Sequence, residues 1–221
     1  MAETSPSFEL VGGHIALDFV NTVANRHDAE RARELLRTPH DVAVWIETSG
    51  LSAVLGPRWQ GRLRSESRAP ARLRAAREHL YGLFNAAATR SAIPESALVA
   101  TDRALRACRH RQRLQMDRGA VVWGWSDGTS VCDRVLHEIL SQAVDLLASA
   151  PRAAIRFCDG SGCGWLFLDR SPAGRRRWCS MRDCGNRAKA RRHYHGVRGS
   201  DARSTEAIRE ADESTRARGS A

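Results

Sequence analysis

Four cysteines in the last third of the chain constrain its fold more than any other feature. They form two short pairs, Cys158 with Cys163 and Cys179 with Cys184, and four residues separate the members of each pair. A loop of this length can present two sulfurs to one ion, and zinc in a closed structural site prefers four thiolates arranged as a tetrahedron. Each second cysteine precedes a glycine, where a tight turn favours a residue that accepts a positive φ. The spacing therefore predicts a structural site for one Zn²⁺ per chain.

Two disulfides are the alternative to a metal ion. Nothing near Met1 combines a charged start, a long apolar run and a small-residue cleavage site, so the sequence favours the reducing cytoplasm over secretion. Thiols in that compartment favour metal binding. Cys108 and Cys132 stand singly among apolar residues, which is typical of small core side chains and not of metal ligands.

Positive charge is concentrated around the cysteines. The chain has 221 residues, a hydrophobic content of 42% and a formal charge of +10. Nine Lys or Arg and one acid, Asp183, lie between Arg175 and Arg198, so this segment carries +8 of the excess. Such local basicity indicates a polyanionic partner, usually nucleic acid. No apolar run reaches the roughly 20 residues that cross a bilayer, so no membrane insertion is expected. Because Lys189 is the only lysine, part of the arginine excess also reflects a compositional bias.

Apolar periodicity predicts a mainly α-helical fold with one β-hairpin, followed by a small treble-clef-like or ribbon-like zinc finger. Thr38, Pro39 and Asp41 are typical of a helix start. Leu114 and Met116 alternate before a turn and Val121 to Trp125 alternate after it, which predicts the hairpin. Helices are predicted over residues 14–23, from 39, over 71–88, from 95 to about 108, and over 131–150, whereas residues 56–70 are predicted to be a loop or a short solvated element.

Three regions follow from these patterns. Residues 8–150 are predicted to form the helical domain, 152–198 the zinc finger and 199–221 a disordered tail. A segment as short as the finger cannot bury enough surface by itself, so a metal ion would supply the missing folding free energy.

A helix is predicted to start after Gly185, with Ala190, Tyr194 and Val197 on a packing stripe and basic residues over the rest of its circumference. Guanidinium groups match phosphate oxygens, and Asn186 could reach a base edge from the major groove. The candidate DNA-binding residues are Arg175, Arg176, Arg177, Arg182, Asn186, Arg187, Lys189, Arg191, Arg192 and His193. A solvated basic face, docking to an acidic protein, and stacking of the finger's aromatic residues on unpaired RNA bases are the alternatives.

The residues around the cysteines resemble a known family. The stretch from Cys163-Gly164-Trp165 through Arg177-Trp178-Cys179 to Cys184-Gly185-Asn186-Arg187 is similar to the CGNR zinc finger. Residues 12–22, which read GGHIALDFVNT, resemble the opening of the ABATE domain that usually precedes this finger. The resemblance implies a bacterial stress-related transcription regulator with a mostly helical N-terminal domain, and it implies that all four cysteines bind zinc.

The helical domain offers a candidate ligand site. His14, Asp18 and Asn21 recur at three- and four-residue steps, so on a helix they share a face that could bind a small polar effector. The alternative is that Asp18 and Asn21 bind neighbouring backbone while His14 caps or packs the helix.

No catalytic residues are predicted, because four cysteines leave zinc no open coordination position, and His193 and His195 resemble a zinc-supported nuclease only faintly. Two functions remain open. One is a zinc-dependent DNA-binding transcriptional regulator whose N-terminal helical domain senses a small-molecule effector or pairs two chains as a homodimer. Such a regulator is expected in the cytoplasm, associated with the nucleoid when bound. The other is a zinc-stabilised module that binds RNA polymerase, RNA or another acidic partner.

Overall fold

The computed structural model describes residues 6–56, 58–149 and 154–194. Its contacts divide the chain into two compact units, Met1–Cys179 and Ser180–Ala221. The division expected from sequence, near residue 151, lies inside the first unit, and the tail expected from residue 199 lies outside the described residues. The three predicted regions therefore stay predictions.

The described part of the first unit is mainly helical, as predicted. Its helices are α1 (Ile15–Val20), α2 (Pro39–Ser49), α3 (Ser52–Leu55), α4 (Trp59–Arg64), α5 (Ala69–Thr89), α6 (Glu95–Arg109) and α7 (Val131–Ser149). Its strands are β1 (Val23–Ala24), β2 (Arg33–Glu34), β3 (Gln112–Asp117), β4 (Ala120–Trp125), β5 (Ile155–Phe157) and β6 (Leu166–Leu168). They pair in sequence order as three antiparallel two-stranded sheets. The short β1–β2 and β5–β6 pairs were not predicted, because strands of two or three residues show no periodicity.

The predicted helix starts agree with the structure where a capping side chain is present. Thr38 accepts a hydrogen bond from the N–H of Asp41, and the Asp41 carboxylate accepts one from the N–H of Thr38, which completes a capping box. His14 caps α1 with its Nδ1, which accepts from the N–H of Ala16 at 3.3 Å. However, α1 ends at Val20 and not at Val23, because the chain then turns into β1.

The segment predicted to be a loop or a short solvated element, residues 56–70, contains one short helix, α4, and the first residues of α5. Within α4, Trp59 and Leu63 are buried in the core, whereas the residues between them are exposed. Two apolar residues one turn apart are too few to reveal a helix by periodicity, so tertiary packing decided this segment. In α6, Leu98 is 52% exposed.

The predicted hairpin is present as β3 and β4. Arg118 and Gly119 form its turn, both with positive φ, as a two-residue hairpin turn of type I′ requires. Leu114 pairs with Trp123, and Met116 pairs with Val121. These four side chains share one face of the hairpin and are 62–68% exposed. Four neighbouring large apolar side chains on a two-stranded sheet are unusual for a protein surface.

The core of the first unit includes residues on both sides of the expected domain boundary. Helix α5 packs against α6 and α7, and α1 contacts β6. Ile155, Leu166 and Leu168 belong to the same buried cluster as Phe19, Leu80 and the other core residues of the helices. Strands β5 and β6 are therefore part of the hydrophobic core that the helices build. Among the described residues, no helix is long and apolar enough to span a membrane.

In the second unit, Met181–Gly185 forms a π-helical turn, and residues 186–194 continue as an α-helix. We call residues 186–194 the basic helix. Cys184 and Gly185 are buried, whereas Ala190 and Tyr194 are exposed. The predicted packing stripe is therefore wrong at these two positions, and its third member, Val197, lies outside the described residues.

Candidate metal centre and nucleic-acid interface

The first cysteine pair lies at the end of the β5–β6 hairpin. Cys158 directly follows β5, and its N–H donates to the carbonyl of Trp165 at 2.9 Å, which extends the strand pairing by one bond. The loop then turns back through Cys163 and Gly164. The φ of Gly164 is +68°, and a Cβ there would lie 2.8 Å from the His27 ring, so this glycine is required as predicted. Gly185 has no positive φ and is instead closely packed, since a Cβ would lie 2.7 Å from the sulfur of Met181.

The four predicted ligands come together. The sulfur atoms of Cys158, Cys163, Cys179 and Cys184 all lie within 4.8 Å of one another, and all four residues are buried without a disulfide. Zn–S bonds of about 2.3 Å in a tetrahedron place the sulfurs about 3.8 Å apart. The sulfurs of Cys163 and Cys179 are 3.8 Å apart. Four thiols at this separation fit one Zn²⁺ in a closed structural site, as predicted.

Hydrogen-bond donors also surround the sulfurs. The backbone N–H groups of Gly160 and Cys179 both donate to Sγ of Cys158 at 3.3 Å. The Arg187 guanidinium donates to Sγ of Cys184 at 3.0 Å. Such donors stabilise negative charge on thiolates and orient metal ligands.

The other two cysteines differ from these ligands in their environment. Burial raises the pKa of Cys108 to about 11 and that of Cys132 to about 12. Both thiols stay protonated at neutral pH, and both side chains lie in the core. This agrees with the prediction that they are core residues.

Hydrogen bonds tie the first cysteine loop to the segment that follows α1. The Asn21 amide donates to the carbonyl of Leu166 at 2.8 Å and accepts from the N–H of Leu166 at 2.9 Å. The Trp165 indole donates to the carbonyl of Val23 at 2.8 Å. The backbone N–H groups of Arg26 and His27 donate to the carbonyls of Cys163 and Gly162. The position of the first ligand pair therefore depends on residues about 140 positions earlier in the chain.

The three candidate effector-binding residues contact the protein itself. His14 caps α1, Asn21 binds Leu166, and the Asp18 carboxylate accepts from the N–H of Gly12 at 2.7 Å. These contacts match the alternative in which Asp18 and Asn21 bind backbone groups and His14 caps the helix. The binding of a polar ligand at these residues stays a prediction.

Asp18 is expected to make the stability of the fold depend on pH. Burial raises its pKa from 3.8 to about 6, despite the opposing hydrogen bond from Gly12. The pKa of Asp18 is higher in the folded protein than in the unfolded chain. The contribution of Asp18 to the stability of the fold is therefore complete below about pH 4 and is lost as the pH rises through 6. Asp18→Asn keeps an acceptor for Gly12 without the charge. We compare the free energy of unfolding of this variant with that of the wild type at each pH. We expect the variant's gain to be about 1.4 kcal/mol larger at pH 8 than at pH 5.

Urea unfolding at both pH values measures this difference, and comparison with wild type at each pH removes contributions from other titrating groups. Asp127→Asn, in an exposed loop, is the control for the change from a carboxylate to an amide. An equal effect of Asp18→Asn at both pH values would contradict the prediction.

A buried carboxylate organises the loop between β6 and Cys179. Asp169 accepts hydrogen bonds from the hydroxyl and N–H of Ser171 and from the N–H of Arg176. These donors, led by the Ser171 hydroxyl, lower the pKa of Asp169 to about 2. The Arg176 guanidinium donates to the carbonyls of Val11, Trp178 and Cys179 and lies 4.3 Å from the centre of the Phe167 ring. Arg176 is therefore engaged in holding the protein together, which makes it the least suited of the candidate residues for contacting phosphate.

The remaining DNA-binding candidates are largely exposed. In the first unit, Arg175 is exposed, and Arg177 pairs with Asp159 at 2.7 Å. In the second unit, Arg187 pairs with Asp183 at 3.1 Å. The Asn186 amide donates to the carbonyl of Arg182 at 3.1 Å. The other exposed candidates in the second unit are Arg182, Lys189, Arg191, Arg192 and His193.

Two residues that position the cysteine loops, Asn21 and Asp169, were not predicted to do so from the sequence. Asn21 was considered as a ligand-binding or helix-tying residue, but its partner lies in the finger segment. Asp169 carries no spacing signal. Both act through contacts distant in sequence or through backbone donors, so only a three-dimensional arrangement could reveal them.

Comparison with known families accounts for most of the chain. The family model described as "CGNR zinc finger" matches residues 155–195. The ABATE model, described as "Putative stress-induced transcription regulator", matches residues 13–150. No curated protein matches the sequence. The two descriptions are of a zinc finger and a regulator, which favours a non-enzymatic role. The chain therefore belongs to the ABATE family of regulators and carries a C-terminal CGNR zinc finger that binds one Zn²⁺.

Proposed function

We propose that the protein is a zinc-dependent DNA-binding transcriptional regulator, in which the basic helix contacts duplex DNA and the N-terminal domain senses an effector or pairs with a second copy. The observation that carries this proposal is the charge of the basic helix. Residues 186–194 include four basic side chains and no acid, and Lys189, Arg191 and Arg192 are exposed on it. In a bacterial cell the proposal implies a cytoplasmic protein that associates with the nucleoid.

The start of the basic helix lies beside one of the four cysteine ligands. Cys184 precedes the helix by two residues and is buried. Arg187, in the first turn, contacts both Asp183 and Sγ of Cys184. Bound zinc would supply a structural clamp at this point. A helix whose start is fixed loses less conformational entropy when its cations meet phosphates, which supports a binding role over a merely solvated face.

Neutralising the exposed cations of the basic helix is expected to weaken DNA binding. In the triple variant Lys189→Gln, Arg191→Gln and Arg192→Gln, each lost phosphate contact should reduce the salt dependence of log K by about 0.9, and the affinity near 0.1 M salt should fall roughly a hundredfold. Fluorescence anisotropy with a labelled random duplex, titrated at several salt concentrations, measures both quantities.

The matched control is Arg64→Gln, Arg103→Gln and Arg109→Gln, which removes the same charge from exposed positions of α4 and α6. It should change the affinity by less than about threefold, since exposed charges that do not contact DNA are screened by salt. Equal losses in both triple variants would mean that net charge alone binds DNA. Tighter binding to single-stranded RNA of the same length, or no binding to duplex at all, would favour the module that binds RNA or an acidic protein.

The apolar face of the β3–β4 hairpin supports pairing of two copies. Trp123 and Leu114 are 68% and 62% exposed, and both hairpin edges lack a third strand in the described structure. A two-stranded hairpin is marginally stable alone, and a twofold axis would allow the same face of a second copy to cover it. A dimer would also double the DNA contacts of a small finger.

We expect the double variant Leu114→Thr and Trp123→Thr to shift the protein from dimer to monomer at about 10 μM, which lies in the concentration range typical of specific but modest interfaces. Light scattering coupled to size exclusion measures the mass. Gln115→Thr, on the opposite face of the hairpin, should leave the mass unchanged. A wild-type protein that is monomeric at this concentration would contradict pairing through the hairpin.

A further inference from the structure

An apolar cavity lies between α5, α6 and α7. Its volume is about 580 Å³, and nine of the eleven lining residues that the structure describes have aliphatic side chains, among them Leu83, Leu105 and Leu147. Binding sites for small organic molecules typically have roughly 300–1,000 Å³ and an apolar lining with few polar groups. The cavity is partly open to solvent, so a small molecule can enter it.

Several apolar side chains at this cavity are exposed, because no other part of the described structure packs over them. Leu98 continues the apolar positions of the helix but lines the cavity and is 52% exposed. Ile93 and Val144, on the other sides of the cavity, are 48% and 40% exposed. Apolar side chains that converge on one opening from separate elements are typical of a ligand site.

One lining residue has an unsatisfied polar atom. Thr101 is only 3% exposed, and its Oγ1 has no hydrogen-bond partner within the described part of the chain. Buried hydroxyl groups are nearly always hydrogen-bonded. Because Thr101 lines the cavity, a ligand that carries one hydrogen-bonding group would satisfy this atom.

Charge at the cavity limits the kind of ligand. Among the described lining residues, Asp102 is the only charged one, and it pairs with Arg106 along α6 at 2.8 Å. No Lys, Arg or His is among the described lining residues, so the cavity offers no cation to pair with an anionic head group. This argues against fatty acids and other anionic amphiphiles.

We propose that this cavity binds a neutral, largely apolar organic molecule with one hydrogen-bonding group, which Thr101 recognises. The site is distinct from His14, Asp18 and Asn21, whose polar atoms contact the protein itself. As a ligand site the cavity stands on its geometry alone, whereas its role as the effector site rests on the proposed function as a regulator.

A matched pair of fluorescent probes tests the proposal on the full-length protein without DNA, so its outcome is independent of DNA binding. N-phenyl-1-naphthylamine is neutral, apolar and carries one N–H donor, and 1-anilinonaphthalene-8-sulfonate adds an anionic group to the same framework. We expect the neutral probe to bind one per chain with a dissociation constant on the order of micromolar, and the anionic probe to bind at least about tenfold more weakly.

Three variants locate the bound probe. Ala148→Trp, at an exposed position that lines the cavity, should fill it and weaken binding of the neutral probe at least about tenfold. Thr101→Val should weaken binding about three- to tenfold while raising the thermal midpoint of the free protein, because it removes an unpartnered hydroxyl. Val99→Trp adds the same side chain to an exposed position of α6 outside the lining and should leave binding unchanged.

Two outcomes would overturn the proposal. One is binding of the neutral probe that Ala148→Trp does not weaken. The other is a wild-type dimer that Ala148→Trp dissociates, since the cavity would then be covered by a second copy of the chain. The thermal midpoint of each variant identifies a variant that fails to fold. In that case the other of Ala148→Trp and Thr101→Val decides whether the probe binds in the cavity.

Discussion

Replacing Cys158 with serine is expected to eliminate stoichiometric zinc and to destabilise the helical part of the protein as well as the finger. Serine is a poor zinc ligand at this position, since a closed structural site depends on four thiolates. Zinc binding in isolated finger peptides is worth about 10–16 kcal/mol, and part of this free energy stabilises the fold. Cys158 directly follows β5, and Ile155 in β5 belongs to the core of the helices.

We therefore expect Cys158→Ser to lower the free energy of unfolding by about 3 kcal/mol or more, and the thermal midpoint by roughly 6–12 °C. Metal analysis of the purified protein gives the zinc content, and melting followed by far-UV circular dichroism reports the helices. The same variant should weaken duplex binding at least about tenfold, since the start of the basic helix would be released.

Cys132→Ser is the matched control for this experiment. It makes the same atomic change at a buried cysteine that is not among the four ligands. It should retain one zinc per chain and lose only about 1–2 kcal/mol of stability through the buried hydroxyl. If Cys158→Ser lost zinc but the helices melted at the wild-type midpoint, the finger would be an independent folding unit, as the sequence-based division near residue 151 implies.

The second large effect is expected from Asn21→Ala. This change removes both hydrogen bonds to Leu166 and leaves a buried N–H and a buried carbonyl without their partner. Two unsatisfied buried backbone groups cost about 2–4 kcal/mol together. Because Leu166 begins β6, the substitution should also loosen the loop that carries Cys163.

Urea unfolding gives the stability change, and competition with a zinc chelator gives the zinc affinity, which we expect to fall about tenfold. Asn85→Ala, in the last two turns of α5, provides a control for loss of an amide at a half-buried position and should alter stability by less than about 1 kcal/mol. An Asn21→Ala protein with wild-type stability but altered regulation in cells would instead support the polar effector site at His14, Asp18 and Asn21.

The interior of the helical domain was predictable where the sequence repeats apolar residues at helical spacing. In α5, Leu73, Leu80 and Phe84 are buried as their spacing predicts. The sequence was less informative where the apolar pattern was too short. Trp59 and Leu63 in α4 are buried although the segment was predicted to be a loop or a short solvated element.

The sequence by itself determined the metal site. Two cysteine pairs with short internal spacing specify four thiolates for one ion, because ligand chemistry and loop length are local properties of the chain. It also determined the charge of the basic helix and the turn of the β3–β4 hairpin, for the same reason.

Only the tertiary structure decided which residues support that site and which surfaces remain open. The contacts of Asn21 with Leu166, the buried carboxylate of Asp169 and the cavity beside Thr101 join residues that are distant in sequence or depend on backbone groups. Hydrogen bonds and packing act through space, so side chains of the same type can bind a ligand, hold a loop or line a cavity depending on what the fold brings next to them.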